Sequence, residues 1–507
     1  MQTIVSLFTT ALLPFSLAAI LPAQQIAIAE YTLLPSASPD GITVGQDGAL
    51  WFTEGYGNKI GRISASGIIT EYVSPTNQSG PTGITKGPDG ALWFTENSTY
   101  APNKIGRITT SGVIAEYPLP NPTCGPSAIT RGPDGALWFT ESNANAIGRI
   151  TIAGAITEYV IPMSYSPAGI TTGPDGALWF TAGFYVGRIT TAGVVTNEYI
   201  VQTPGIGDPG ADGIVTGPDG ALWFTNWYTD QIGRITTAGA LTEYTLPSTG
   251  YFGGYPEGIA VGPDGALWFT WREGNTIGRI TTAGLIAEYP VPTSGGGPQG
   301  ITAGPDGALW FTEADGDKIG EAVFVTTNLS VTPATGGYQR PLTFSGSGFA
   351  PNETVKIYSK GIGSPVLATA TADAGGSITA MALSPISTYG PRIFLGLGQS
   401  SKQLGAAGFS VKPRLIMHPG SGAMGSFVAA AGYGFGAGEA ITVYWNSSQT
   451  ILGTATTNIN GSFDGSAALI FTVPLGASPG VNTVIGVYPL PPFGTTGIVG
   501  VGEFTVQ

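Results

Sequence analysis

Two positions in each of seven repeats hold the side chains of this 507-residue chain best suited to chemistry. One position opens a short apolar stretch: Asp40, Thr82, Ser127, Ala168, Asp212, Glu257 and Gln299. The other follows a Trp-Phe-Thr triplet: Glu54, Glu96, Glu141, Ala182, Asn226, Trp271 and Glu313. Paired carboxylates suit acid–base work, and a hydrolase needs two of them about 5 to 10 Å apart. Asp212 and Glu257, in adjacent repeats, are the candidate pair. The four Glu of the second set could accept a cation or backbone donors; the alternative is that they cap exposed loops and lie too far apart to cooperate. Six aromatics gather near Asp212 and Glu257: Trp227, Tyr228, Tyr251, Phe252, Tyr255 and Trp271. Aromatic faces beside a few carboxylates suit sugars, aromatic groups or peptides. Padding of the two long loops at 200–211 and 245–256 is the competing explanation. Cys124 and His418 are each the only residue of their type. A single Cys forms no disulfide within one chain and no thiolate metal site, and one His with no identified nucleophile makes no triad.

These positions flank a phrase that sets the architecture. Asp-Gly-Ala-Leu-Trp-Phe-Thr starts at Asp47, Asp89, Asp134, Asp175, Asp219, Asp264 and Asp306, a spacing of 41 to 45 residues. A fixed period of that length means one supersecondary unit repeated. In the third copy, 127–131 alternates as a strand does, and Pro133-Asp134-Gly135 supplies turn chemistry. Residues 136–140, 147–151 and 155–159 read as three further strands. Four antiparallel strands per repeat predict a propeller blade, with Trp and Phe on opposite faces against neighbouring blades. Seven Glu-Tyr strands also occur, at Glu30, Glu71, Glu116, Glu158, Glu198, Glu243 and Glu288. The first precedes every Trp-Phe copy, and the last repeat lacks one. Residues 26–34 are therefore expected to supply the missing strand of blade seven and close the ring. The turns that barely vary lie on one face. The connections that do vary lie on the other, where binding residues usually live.

Only 10% of residues are charged and the net charge is −13. Such a surface repels phosphate backbones, so nucleic acid is excluded as a partner. High Gly and Pro, at fixed turn positions, fit many short strands rather than disorder. Residues 4–29 carry no charge, and small residues lie near Ala18–Ala19 and Ala23. Residues 1–25 read as a secretory signal, although the stretch lacks a basic residue at its start, which leaves an uncleaved anchor open. No other stretch could span a bilayer.

Gly-Pro-Asp-Gly-Ala-Leu-Trp-Phe-Thr-Glu, then Ile-Gly-Arg-Ile-Thr, then Glu-Tyr-Pro, resembles the streptogramin B (virginiamycin B) lyase family over about residues 26–325. The resemblance implies a seven-bladed propeller that opens a cyclic depsipeptide by Mg²⁺-assisted elimination at an ester C–O bond. It also implies a His in the opening of the last two blades and Glu ligands in the last. Those openings here are Pro256-Glu257-Gly258-Ile259 and Pro298-Gln299-Gly300-Ile301, so Glu257 and Gln299 stand where the family has His. The remaining ligand position falls near Glu313 or Asp315, and Mg²⁺ is expected only if the lyase chemistry holds.

After Phe324 the phrase stops and another unit occurs twice. Gly346-Ser-Gly-Phe349 parallels Gly432-Tyr-Gly-Phe435, and Val366-Leu-Ala-Thr-Ala-Thr371 parallels Ile451-Leu-Gly-Thr-Ala-Thr456. Units of this length and pattern predict two immunoglobulin-like sandwiches. The expected organisation is a signal at 1–25, an all-β propeller at 26–326, and sandwiches at 328–411 and 412–507. The expected role is a monomeric secreted or cell-surface protein whose propeller binds a small molecule, glycan or peptide. A C–O lyase and a carboxylate hydrolase are the alternatives.

Overall fold

The computed structural model describes residues 25–64, 67–162, 165–201, 210–247, 254–359, 365–387, 390–435, 438–446, 450–458, 460–487 and 499–507. Residues 1–24, which hold most of the expected signal, lie outside them, as do Tyr251 and Phe252. Among the described residues, no helix is long and apolar enough to cross a membrane.

Seven four-stranded antiparallel sheets form a propeller. Blade one consists of Pro39–Val44, Leu50–Glu54, Lys59–Ile63 and Ile69–Val73, counted from the axis outward. Blades two to six repeat it at 81–118, 126–160, 167–200, 211–245 and 256–290. Blade seven takes Pro298–Ala303, Leu309–Glu313 and Lys318–Phe324 from the end of the repeat region and Ile26–Thr32 from its start. Ile26 pairs with Phe324 and Thr32 with Lys318, so the N-terminal strand closes the ring.

The repeated phrase explains the packing residue by residue. Each Trp faces the following blade and meets its Leu and Phe: Trp51 shares a core with Leu92 and Phe94, and Trp310 with Leu50 and Phe52. All seven Trp are fully buried. Trp Nε1 donates to the Asp that opens its own phrase at 2.9–3.3 Å in every blade, which satisfies the buried polar tip. The other oxygen of that Asp accepts from the Arg of Gly-Arg-Ile on the third strand at 2.6–2.7 Å in blades one to six. The Tyr of each Glu-Tyr strand stacks on the Trp of its own blade, as Tyr72 does on Trp51 at 5.6 Å.

The Thr of each phrase ties the ring together. Its hydroxyl donates to a carbonyl of the next blade at 2.5–2.8 Å, from Thr53 to Thr82 round to Thr312 to Asp40. The accepting carbonyl belongs in every case to the first-set position named above. The blades approach so closely there that a Cβ on Gly41 would lie 2.6 Å from the Thr82 carbonyl oxygen.

Two further domains follow, each a nearly closed eight-stranded sheet in the manner of a β-sandwich. Their strand orders match, and each has its own core, around Phe344, Phe394 and Phe409 in the first and Phe435, Trp445 and Phe504 in the second. His418 is exposed at the end of the strand Arg414–His418 in the second.

Candidate functional site

The inner strand of every blade carries a bulge. In blade one Pro39 pairs with Glu54 but Ile42 with Phe52, so Asp40 and Gly41 interrupt the register. A bulge re-aims a side chain, and the same register shift recurs in all seven blades. The seven side chains so placed are all half-buried. With their carbonyls held by the threonine ring, they surround one mouth of the central channel.

Three of the seven are carboxylic acids, and they feel one another. Burial pushes Asp40 up to about 6, with the Arg272 charge opposing. Burial, then the nearby Asp40, pushes Asp212 up to about 6. Burial, followed by Asp212, pushes Glu257 up to about 8, with Arg272 opposing. Arg272 contacts Glu257 Oε1 at 3.5 Å and Asp315 Oδ1 at 3.2 Å. Desolvation outweighs the long contact to Arg272, so Glu257 holds its proton at neutral pH.

Two cavities open at this mouth. One, of about 500 Å³, spans blades six, seven, one and two and is lined by Asp40, Thr82, Gln78, Asn97, Arg272, Gln299, Asp315, Tyr56 and Tyr100. Those two tyrosines are 87% and 83% exposed, so they are held out in water rather than used in packing. The other, of about 310 Å³, lies by blades four and five and is lined by Ala168, Asp212, Tyr165 and Trp227. Trp227 stacks on Tyr255 at 5.4 Å and meets Tyr228 edge-on at 6.0 Å.

The expected aromatic cluster therefore divides. Trp227, Tyr228 and Tyr255 come together beside Asp212. Trp271 does not join them: it is fully buried in the core between blades five and six, with Trp223 and Leu246. Gly254 lies against it, and a Cβ there would collide with its indole. Tyr251 and Phe252 lie outside the described residues. Sequence reasoning missed Tyr56, Tyr100 and Arg272. The signal was present for all three, since each follows a second-set position closely, in a loop at the same face.

The second-set Glu also sit differently from expectation. They neither stand at the surface nor cap exposed loops: Glu54, Glu141 and Glu313 are fully buried and Glu96 nearly so. Each lies beneath its loop, next to the Glu of the Glu-Tyr strand. Burial pushes Glu54 and Glu313 up to about 8 and Glu141 up to about 7. Neither carboxyl oxygen of Glu54 or Glu313 meets a hydrogen-bond partner. Burial likewise pushes the Cys124 thiol, near Glu141, far above its ordinary range, so it is no nucleophile.

The residues at the expected magnesium position do not fit that ion. Glu313 points under the loop at 293–297, beside Glu30, whose carboxylate already accepts from Lys318 Nζ at 2.7 Å and the Thr293 amide at 2.7 Å. Asp315 is drawn to Arg272 at the rim. Among the described residues, no group of three or more His, Cys, Asp or Glu is placed to hold a metal ion.

The sequence matches the virginiamycin B lyase family over residues 16–208 and 185–332. It is 42% identical to the solved virginiamycin B lyase of Staphylococcus aureus, with a TM-score of 0.55; the match takes in 59% of this chain and 100% of that one. It is 40% identical to a solved streptogramin B lyase, with a TM-score of 0.55, over 59% of this chain and 97% of that one. A catalytically inactive variant of the Staphylococcus aureus enzyme, solved with quinupristin, matches at 42% identity and a TM-score of 0.55, again over 59% of this chain and 100% of that one. No curated protein sequence matches.

Proposed function

Because the chain belongs to the virginiamycin B lyase family, we propose that its propeller keeps a ligand-receiving mouth without the histidine-dependent step the resemblance implies. What supports this reading is that Glu257 and Gln299 occupy the two blade openings where the resemblance implies His. Gln299 exchanges no proton near neutral pH, and Glu257, protonated up to about 8, is no base there. The only His in the chain, His418, belongs to the second C-terminal domain. The exposed faces of Tyr56, Tyr100 and the Trp227–Tyr255 stack supply contact surface, and the amides of Gln78 and Asn97 supply hydrogen bonds. The reading is of a secreted or cell-surface protein that binds a small molecule, glycan or peptide, in keeping with the uncharged stretch at 4–29.

One observation favours a second reading. Asp40 and Asp212 titrate near 6 and Glu257 near 8, and carboxyls split in this way can divide acid and base roles between them. The second reading is a hydrolase at the same mouth.

One experiment separates the readings. The protein is incubated with quinupristin and Mg²⁺ and followed by liquid chromatography with mass detection, alongside a titration of tryptophan fluorescence. Elimination opens the ring with no change in mass, whereas ester hydrolysis adds the mass of one water. The binding reading expects a fluorescence change, if any, with neither product. An isomeric ring-opened product at catalytic turnover sinks it, and a water adduct moves the assignment to the hydrolase.

A further inference from the structure

The first C-terminal domain carries an apolar face that a free sandwich would not need. A strand with one wet face alternates apolar and polar residues. The strand Gly390–Gly398 instead runs Ile393-Phe394-Leu395, apolar on both sides. Phe394 enters the domain's own core with Phe344 and Phe409. Ile393 and Leu395, 7% and 1% exposed, point the other way and pack with Ala29, Tyr31 and Trp310 of blade seven. Tyr358 joins them, while its neighbour Ile357 faces the domain's own core.

That face lies over the place where the ring closes, the strand Ile26–Thr32. Blade seven also departs there from the other six. Glu321 stands where blades one to six have Arg, opposite Trp310, so Asp306 has no arginine from its own blade. Glu321 is buried and accepts the Tyr31 hydroxyl at 2.5 Å. The C-terminal domain brings up Arg392, 8% exposed, whose charge acts on Tyr31 and Glu30 of the closing strand.

We propose that the first C-terminal domain is a clamp on the propeller's seam, supplying its apolar cover from outside. The virginiamycin B lyase matched over 100% of its length aligns with only 59% of this chain, so the rest of this chain has no counterpart there. In this chain, holding the ring shut has passed partly to that added region. The inference is independent of what the mouth binds.

Hydrogen exchange on the full chain tests it, with Leu395→Lys and Arg392→Met against wild type. Leu395→Lys should speed exchange of amides 26–32 at least tenfold, and Arg392→Met should speed it less but in the same direction. Amides 195–200, the outer strand of blade four, should not change. Amides 341–347 report whether the C-terminal domain itself stays folded; its cover leaves the seam in either case. Unchanged exchange of 26–32 in both variants overturns the clamp, whether or not 341–347 remains protected.

Discussion

Replacing Thr140 with Val removes one hydroxyl at nearly constant shape, and the structure says what that hydroxyl does. It accepts the Ala128 amide at 3.0 Å and donates to the Ala168 carbonyl of the next blade at 2.8 Å, in a side chain with no exposure. Valine leaves a buried donor and a buried acceptor without that partner, at about 1–2 kcal/mol each, so the expected loss is about 2–4 kcal/mol. Unfolding entropy of ~2 cal/mol/K per residue gives about 0.6 kcal/mol/K over a propeller of about 300 residues, and hence a Tm lower by about 3–7 °C. Calorimetry on the full chain measures it, with Thr140→Ser as the control that keeps the hydroxyl. Thr312→Val should match Thr140→Val, since it breaks the same pair of bonds, to the Gly300 amide and the Asp40 carbonyl. A Val variant within about 1 °C of wild type, or a Ser variant as damaged as Val, would refute the view that these hydrogen bonds couple the blades.

Three further outcomes follow from the site. Glu54 ionises near 4.5 when unfolded and near 8 when folded, so its contribution to stability is whole below about pH 4.5 and lost as pH rises through about 8; Glu54→Gln should raise Tm at pH 8.5 and change it little at pH 4, and an equal effect at both refutes the assignment. Trp271→Ala should cost about 3–5 kcal/mol of stability, whereas half-exposed Trp227→Ala should leave Tm nearly unchanged and abolish any ligand-dependent fluorescence change; reversed behaviour would return Trp271 to the surface. Arg272→Met should move the Glu257 titration upward, because Arg272 holds it down; a downward shift in carboxyl NMR titration contradicts the contact.

The ring was legible because its determinants are local and repeated. Trp finds its Asp four residues away, and the Trp-Phe pair fixes both faces of a blade wherever it occurs. The count of Glu-Tyr strands also led to the pairing of residues 26–32 with 318–324. The site was legible only in part. The first-set positions reach the mouth because a bulge, itself part of the repeat, aims them there. Whether Glu54 or Trp271, at the end of the same strand, faces water depends on the loop folded above it, and those loops differ in every copy. Arg272 illustrates the other limit: Glu257 faces it across the hairpin of its own blade, but Asp315 is 43 residues away in blade seven, and only the folded ring brings it to Arg272.

The closing strand also orders the life of the chain. Tyr31 is made early and meets Glu321 only after 290 further residues have been synthesised. Until Lys318–Phe324 emerges, Ile26–Thr32 has no edge to join and blade seven cannot be completed. Contacts of such long sequence separation form late and slowly. A ribosome that stalls in the sixth repeat therefore releases an arc with two bare ends rather than a smaller ring, and the last repeat decides whether the first six are soluble or sticky.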